Sequence, residues 1–594
     1  MSDKLFGSNL RKNILIILVT ITGIWFTSQL IKMQIIEYQS YSSKSDNNSV
    51  KKIVQQAPRG IFFDRNFQVL VSNKPSYTLQ ITPAIYDTAI GRILENVLSM
   101  ERNTISDILY KNRGYSKFLP RVIKRDIAFE DLVWFEENNE LLKGVNIVVE
   151  MQRDYSFDIK GSHVFGYLRE INSQQLKEND EFYDLGDFIG IQGVERAYEN
   201  YIRGKKGYEF VLVDSRRKTI GKYLAGTSDI PPQKGRDLIL TLDAEAQKVA
   251  EKAFEGLSGS LVAIEPSTGE IISYVSAPEF DLEKFAAVTS RQLMNELRND
   301  PEKPLFDRAA NSIYPPGSTY KMLAALIGLE EGIINENSVI TCKGGYQFGN
   351  RFFKCHGSHG TTNVVSAIEH SCNTFFYKLI LDIGLDRWAK YLRMFGFGSP
   401  TGFDLSKDAA GIVPDSKYYD RVYGEKKWGR GMLISLGIGQ GELSVTTLQL
   451  AQYAAYLANS GKIKAPHVVK GYIEGLQNNF HPFNYDNKEI KISKHNFDIV
   501  REGMFKVVNG NGTARHIRLP NIDISGKTGT SQNPHGKDHA LFIGFAPFEN
   551  PKIAVAVIVE NVGFGGTHAA PIAQKVIKTY LENLEDDDFK VADL

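Results

Sequence analysis

Three short segments of this 594-residue chain carry side chains whose types and spacing suit acyl transfer. The first reads Tyr314-Pro315-Pro316-Gly317-Ser318-Thr319-Tyr320-Lys321 and sets a hydroxyl and an amine three residues apart. Its prolines and glycine make a rigid turn, which predicts a helix starting near Ser318. Positions i and i+3 share a helix face, so Lys321 can reach the Ser318 hydroxyl. A serine hydroxyl is a weak nucleophile without a base. A lysine acts as that base only when burial or nearby positive charge lowers its pKa. The second segment, Ser371-Cys372-Asn373, follows 53 residues after Ser318, and the third, Lys527-Thr528-Gly529-Thr530, lies 156 residues beyond Ser371. Lys527 is a source of the charge that Lys321 needs, and free N–H groups at a helix start near Ser318 suit an oxyanion hole. Singly these pieces are weak: Ser-x-x-Lys is often a capped helix with a surface lysine, and Lys-Thr-Gly a strand edge or turn. In this order, behind Tyr-Pro-Pro-Gly, they become specific.

A second constellation overlaps the first. The three cysteines, Cys342, Cys355 and Cys372, fall within 31 residues, and Cys372 sits between Ser371 and Asn373. Three cysteines cannot make a disulfide scaffold. With His359 they form a set of four soft or borderline ligands, separated by 13, 4 and 13 residues. Four such ligands suit tetrahedral zinc with no open position, hence a structural site. Zinc there would tether the Ser371–Asn373 turn to the preceding loop. His356 is an alternative fourth ligand. Buried free thiols compete with this reading, as does one disulfide plus an odd thiol in an oxidising compartment.

The elements that must position these groups can be read in outline. Asn13–Ile31 is a run of 19 residues without a charge, about 28 Å as a helix, which predicts one membrane anchor rather than a cleaved leader. Lysines and arginines flank it on both sides, so charge alone hardly sets its orientation. Residues 41–56 read as a polar stalk, 57–82 as short strands, and 86–145 as mostly helical. Pro231-Pro232-Gln233-Lys234-Gly235 marks a boundary. Beyond it, Leu238–Asp243 predicts a strand running into a helix near Ala244, and Ser260–Ala277 a hairpin turning at Ser267-Thr268-Gly269. Helices fill much of 320–460. Strands are predicted at Ala540–Ala546 and Ile553–Glu560, with a last helix over about Pro571–Glu582. Strands at both ends with helices between them imply an α+β domain with a mainly antiparallel sheet.

Composition narrows the function. Lysine and arginine total 70 against 69 acidic residues, a net charge of +1, which leaves no basic excess for nucleic acid. Hydrophobic residues make up 42 %, which excludes wholesale disorder.

The three catalytic segments together resemble those of the penicillin-binding proteins and serine β-lactamases. The blocks GSLVAIEPSTGEIISYVSAPEFD, IGQGELSVTTLQLAQYAAYLANSG, NGTARHIRLP and HALFIGFAP are similar to their transpeptidase domain. The blocks APRGIFFDRN, RDYSFDIKGSHVFGYL and GIQGVERAYENYIRGKKG resemble the non-catalytic pedestal of class B, monofunctional members; no glycosyltransferase-like block precedes it. The likeness covers about residues 14–583. It implies an α+β chain: a cytoplasmic tail (1–12), a transmembrane helix (13–35), and a mixed α/β, dimerisation-like pedestal (36–230, head insertion about 80–150). A transpeptidase domain (231–583) with an antiparallel sheet flanked by helices and an acidic tail (584–594) would follow.

The resemblance also assigns roles. Ser318 would attack the D-Ala-D-Ala carbonyl of a peptidoglycan stem peptide, with Lys321 as base. Ser371 would shuttle the proton, Asn373 hold the substrate amide, and Lys527, Thr528 and Thr530 bind the terminal carboxylate beside Gly529. The oxyanion would meet the N–H groups of Ser318 and Thr530. A second stem peptide's amine would resolve the acyl-enzyme, with weak carboxypeptidase activity alongside, and β-lactams would acylate the same serine. No organic cofactor is implied. The elongation-type group, penicillin-binding protein 2, has a metal site with one ligand inside the second motif, so the cysteine set favours cell-wall elongation and maintenance of shape. The implied setting is the bacterial inner membrane, single-pass, with the catalytic domain in the periplasm. The implied partners are a polytopic glycan-strand polymerase and other elongation-complex membrane proteins. A division-type transpeptidase is the nearest rival. A β-lactamase is disfavoured because no glutamate occurs between Thr374 and Gly424 to activate water. His163, His467 and His539, and Arg59, Asp64 and Arg65, read as structural.

Overall fold

A computed structural model describes residues 9–37, 49–111, 117–156, 158–178, 182–184, 186–214, 219–286, 289–405, 407–475 and 479–592. Residues 1–8 of the expected cytoplasmic tail and 41–48 of the expected 41–56 stalk lie outside the described residues.

The first helix, α1 (Asn9–Ile31), runs into a π-helical turn at Lys32–Ile36. Within Asn9–Ile36 an 18-residue window reaches a mean hydropathy of 2.1 with none of it buried, which fits a single membrane span by length and composition. Its hydroxyls stay satisfied inside the helix: Thr20, Thr22 and Thr27 each donate to the carbonyl four residues earlier.

Contacts divide the chain into two compact units that interleave along the sequence. One takes residues up to Pro58, Tyr77–Val148 and Gly204–Lys234. It contains an antiparallel sheet of Val50–Gln55, Gly207–Val213 and Thr219–Lys222, and a separate small core around Leu79, Leu94, Ile105, Phe135 and Val145. The other takes Arg59–Ser76, Val149–Arg203 and everything from Gly235 onward. Two stretches expected in the pedestal, 59–76 and 149–203, therefore pack with the catalytic sheet. Ion pairs tie the two stretches to each other, and Arg65 ties the first of them to the catalytic hairpin. Arg59 donates to Glu195 and Glu199 at 2.7 and 2.6 Å, and Arg153 donates to Glu195 at 2.6 Å, a network in which Glu195 is fully buried. Arg65 reaches Glu265 and Glu270 of the catalytic hairpin, and Tyr580. A buried charge is tolerated only with such partners.

The catalytic sheet has five strands: β1 (Gly259–Ile264), β2 (Ile271–Ala277), β3 (Ser525–Ser531), β4 (His539–Ala546) and β5 (Ile553–Val559). Their spatial order is β2-β1-β5-β4-β3, and every pairing is antiparallel. Helices α2 (Ala244–Ala253) and α6 (Gly565–Ala592) pack on each other and on the sheet, and α5 (Thr447–Ala458) packs on β5, β1 and β4. With both faces covered, β5 is buried at all seven positions, which is why Ile553–Val559 reads as an unbroken apolar run rather than an alternation. Asp243 caps α2 by accepting the Ala246 N–H at 2.8 Å. Two further helices, α3 (Lys321–Glu330) and α4 (Asn373–Ile383), carry catalytic-motif residues at their starts.

The last helix is longer than expected. It starts six residues before Pro571, and its backbone continues through the acidic run to Ala592, where a solvated tail was expected from 584. No glycine or proline follows Pro571 to stop it.

Candidate active site

The Ser318 turn differs in one local detail from the expected helix start. Gly317–Tyr320 is a 3-10 turn, and α3 proper begins at Lys321. The turn lies against the edge of β3 so closely that neither partner has room for a side chain at the contact. Gly317 has φ +56°, and a Cβ there would stand 2.6 Å from the Thr530 carbonyl oxygen; one at Gly529 would stand 2.8 Å from Thr319. Gly317 N–H donates to Gly439 at 2.8 Å, and Gln440 Nε2 donates to the Thr530 carbonyl at 3.0 Å. The Pro-Pro-Gly and Lys-Thr-Gly glycines are thus the condition for bringing Ser318 beside Thr530.

Ser371 is also in the left-handed region, with φ +55°, an unusual place for a non-glycine residue that costs about 1–2 kcal/mol. This turn aims Cys372 and the start of α4 at the end of Lys321. The Lys321 amine is fully buried and contacts Ser371 O at 2.8 Å, Ser371 Oγ at 3.2 Å and Asn373 Oδ1 at 2.6 Å. Ser318 Oγ is not among these partners, so the amine rests between the two motifs at Ser371 and Asn373 rather than on the serine three residues before it. Burial brings the Lys321 pKa down to about 7, against an opposing pull from Cys355 and Cys372. Burial, aided by the Lys321 charge, pushes Lys527 well below the ordinary amine range. A neutral Lys321 donates two hydrogens, to Ser371 O and Asn373 Oδ1, and keeps a lone pair for a proton from a hydroxyl.

Ser318, Ser371, Asn373, Thr528, Gly529 and Thr530 line one open cleft of about 930 Å³. Lys321 and Lys527 lie buried beneath it. Thr528 Oγ1 is 2.6 Å from Thr513 Oγ1. The cleft also has walls that the motif reading did not assign: Gln440, Thr513, His516, Tyr377 and the rim Arg351–Lys354. Gln440, Thr513 and His516 fall inside the family-like blocks IGQGELS and NGTARHI, so their location was signalled although no role was. His356 lines this cleft as well.

The four residues of the second constellation come together. The ligand atoms of Cys342, Cys355, His359 and Cys372 lie within 4.8 Å of one another, and all three cysteines are free thiols. A zinc ion with bonds of about 2.3 Å needs ligand separations near 3.8 Å. Cys355 Sγ is already 3.5 Å from His359 Nδ1. His359, not His356, joins the cluster. The Cys355 thiol is drawn down, first by a hydrogen bond from Cys372, against the opposing effect of burial, and then by backbone N–H groups at Thr374, Gly357 and Asn373. The Asn373 N–H donates to Cys355 Sγ at 3.2 Å. An anion at the amino end of α4 suits the helix dipole. The donor set and its electrostatics therefore fit a soft divalent cation.

Comparison with known proteins agrees with this geometry. The penicillin-binding protein transpeptidase domain family matches residues 259–578, and the penicillin-binding protein dimerisation domain family matches residues 54–240. The chain therefore belongs to the class B penicillin-binding proteins. Within that family it is 34 % identical to the peptidoglycan D,D-transpeptidase MrdA of Acinetobacter baumannii, over 95 % of this chain and 86 % of that one. Its fold is similar to that of PBP2 from Helicobacter pylori, solved in complex with MreC, with a TM-score of 0.76, 27 % identity and coverage of 90 % and 99 % of the two chains. It is also similar to a chain solved in a study of how a peptidoglycan synthase complex coordinates polymerization and crosslinking, with a TM-score of 0.72, 28 % identity and coverage of 96 % and 98 %.

Proposed function

We propose that this protein is a serine peptidoglycan D,D-transpeptidase that cross-links stem peptides during cell-wall elongation. The observation that carries the mechanism is the buried Lys321 amine, held at Ser371 and Asn373 below the cleft that Ser318 and Thr530 share. Ser318 Oγ attacks the carbonyl carbon of the penultimate D-Ala while Lys321, neutral at working pH, takes the hydroxyl proton. The carbonyl oxygen becomes an oxyanion between the N–H groups of Ser318 and Thr530. Ser371 Oγ passes a proton to the departing D-Ala nitrogen and recovers it from Lys321. The C–N bond breaks, D-Ala leaves, and an ester to Ser318 remains. Asn373 Nδ2 holds the substrate amide. Thr528, Thr530 and Lys527 hold the terminal carboxylate, and that anion restores the charge that burial removes from Lys527. A second stem peptide's amine then attacks the ester, giving its proton to the same relay in reverse. β-Lactams acylate Ser318 in place of the donor. Among the described cleft residues the one carboxylate is Asp538, at the β3–β4 connection and outside the second motif. That supports slow hydrolysis and a transpeptidase over a β-lactamase.

In this reading Cys342, Cys355, His359 and Cys372 hold one zinc ion, which supplies structural cross-linking and no catalytic step. α1 is a single-pass anchor in the inner membrane with the catalytic unit in the periplasm, where peptidoglycan lies. The domain division is a pedestal over about 36–230 and a transpeptidase domain over about 231–583, and the pedestal serves as the docking part for a glycan-strand polymerase and elongation-complex membrane proteins. MreC in the Helicobacter pylori PBP2 complex supports such partners. The test is D-Ala release and cross-link formation by the purified full-length chain supplied with pentapeptide-bearing glycan strands. Wild type is expected to release D-Ala and form dimers, and Ser318→Ala to do neither. Cross-linking by Ser318→Ala would contradict the proposal.

A further inference from the structure

The two oxyanion donors assigned above sit on different pieces of the molecule, Ser318 on the nucleophile turn and Thr530 on β3, so something must fix their separation. A closed path of contacts does so. Thr530 pairs with Ala540 of β4, and Ala540 pairs with Val559 of β5. The next residue, Glu560, accepts a 2.5 Å hydrogen bond from Tyr314 Oη. Tyr314 leads through Pro315, Pro316 and Gly317 to Ser318. Two consecutive prolines have fixed φ and transmit the position of Tyr314 to Ser318 with little slack.

Both ends of the bond are themselves held. Glu560 N–H donates to Ser258 at 2.8 Å, and Glu560 faces Arg308 Nε at 3.4 Å. Arg308 is buried and also donates to the Glu302 carbonyl at 2.6 Å. Tyr314 is buried, and the His539 ring packs edge-on against it with centroids 5.4 Å apart. On its other side the Tyr314 backbone exchanges two 2.9 Å hydrogen bonds with Val445. The Tyr314–Glu560 pair supplies the side-chain hydrogen bond that ties the approach to the nucleophile turn to the end of β5.

We propose that Tyr314 and Glu560 are positioning residues for acyl transfer. Their hydrogen bond, backed by Arg308, sets the register of the nucleophile turn on the sheet and so the gap between the Ser318 and Thr530 donors. Neither touches the reacting atoms. The inference rests on Ser318 being the nucleophile. Misplacing a reacting group by about 1 Å costs roughly 100-fold in rate. Loss of this bond therefore acts on the acylation rate constant and leaves the initial binding of β-lactam, made by the cleft walls, in place.

The test is rapid-mixing acylation of the full-length chain by a fluorescent penicillin, separating the binding constant from the acylation rate constant. The adduct is mapped by mass spectrometry in every variant. Tyr314→Phe keeps the ring, the Val445 bridge and the packing, so the fold persists; its acylation rate constant is expected to fall roughly 10- to 100-fold with binding unchanged. Glu560→Ala is expected to match it. Glu560→Gln, whose amide oxygen still accepts the Tyr314 hydrogen, is expected to recover most of the rate. An unchanged rate constant in Tyr314→Phe, or no recovery in Glu560→Gln relative to Glu560→Ala, would overturn the proposal while the Ser318 adduct remained. An adduct on another residue would instead overturn the reading it rests on.

Discussion

The two catalytic turns of this molecule are held in place by different physics. The Ser318 turn is fixed by steric fit. Gly317 and Gly529 leave no space between it and β3, main-chain bonds tie it to Gly439 and Val445, and α3 behind it is buried along almost its whole length. The Ser371 turn is strained, with a non-glycine residue at φ +55° and a helix that starts at Cys372 without a side-chain cap. What stands where a cap would be is Cys355 Sγ, accepting the Asn373 N–H. One turn is positioned by backbone packing together with the Tyr314–Glu560 hydrogen bond, the other by a cluster of sulfur and nitrogen ligands. Packing needs nothing from solution. A ligand cluster needs its metal and the right redox state.

Substitution at the shared point of the two turns has the largest expected effect. Lys321→Met removes the proposed base but keeps the buried volume, so acylation by penicillin is expected to fall by about 10²- to 10⁴-fold, with a loss of about 1–3 kcal/mol in stability as Ser371 O and Asn373 Oδ1 lose their donor. A parallel loss of fold would show that the lysine is structural. The turns separate in the next experiment. Cys372→Ala is expected to drop zinc from about one equivalent to well below it by metal analysis, and to destabilise the protein by roughly 4 kcal/mol. Acylation is expected to slow along with it. Full zinc and full acylation in this variant would mean that packing, not the cluster, holds Ser371.

The pH profile sharpens the comparison further. Burial brings the Lys321 pKa down to about 7, and the proposed mechanism uses the neutral amine. The acylation rate is therefore expected to fall about tenfold per pH unit below 7 and to level off above it. A profile flat from about pH 5 to about pH 9 would remove the amine as base. The smallest effect is predicted far from both turns. Asp243→Ala removes the α2 cap and is expected to cost about 1 kcal/mol by thermal melting, with acylation unchanged.

Much of this site was legible in the sequence because its residue types are specific. Glycine and proline announce a close approach, and three cysteines beside a histidine announce soft ligands. The structure brings together every member of both sets. The antiparallel hairpin at 259–277 and the paired strands near 540–559 were equally legible, since each is a mostly apolar, β-branched run bounded by a turn. What escaped depends on contacts between residues distant in sequence. Helix periodicity puts Lys321 next to Ser318, yet its three hydrogen-bond acceptors lie 50 and 52 residues away. Nothing local in Arg59 or Arg153 shows that both will meet at Glu195 and join two distant pedestal segments, nor in Arg65 that it will pair with Glu265 and Glu270 of the catalytic hairpin. The length of α6 is hidden because an acidic run reads as solvated, although no glycine or proline beyond Pro571 breaks the helix.

The central claim is that Ser318 is the nucleophile of acyl transfer, and intact-protein and peptide mass spectrometry after penicillin labelling tests it most directly. The account predicts one penicilloyl group per chain, carried on Ser318, and none on Ser318→Ala. An adduct on Ser371 or elsewhere, or equal labelling of Ser318→Ala, would contradict it.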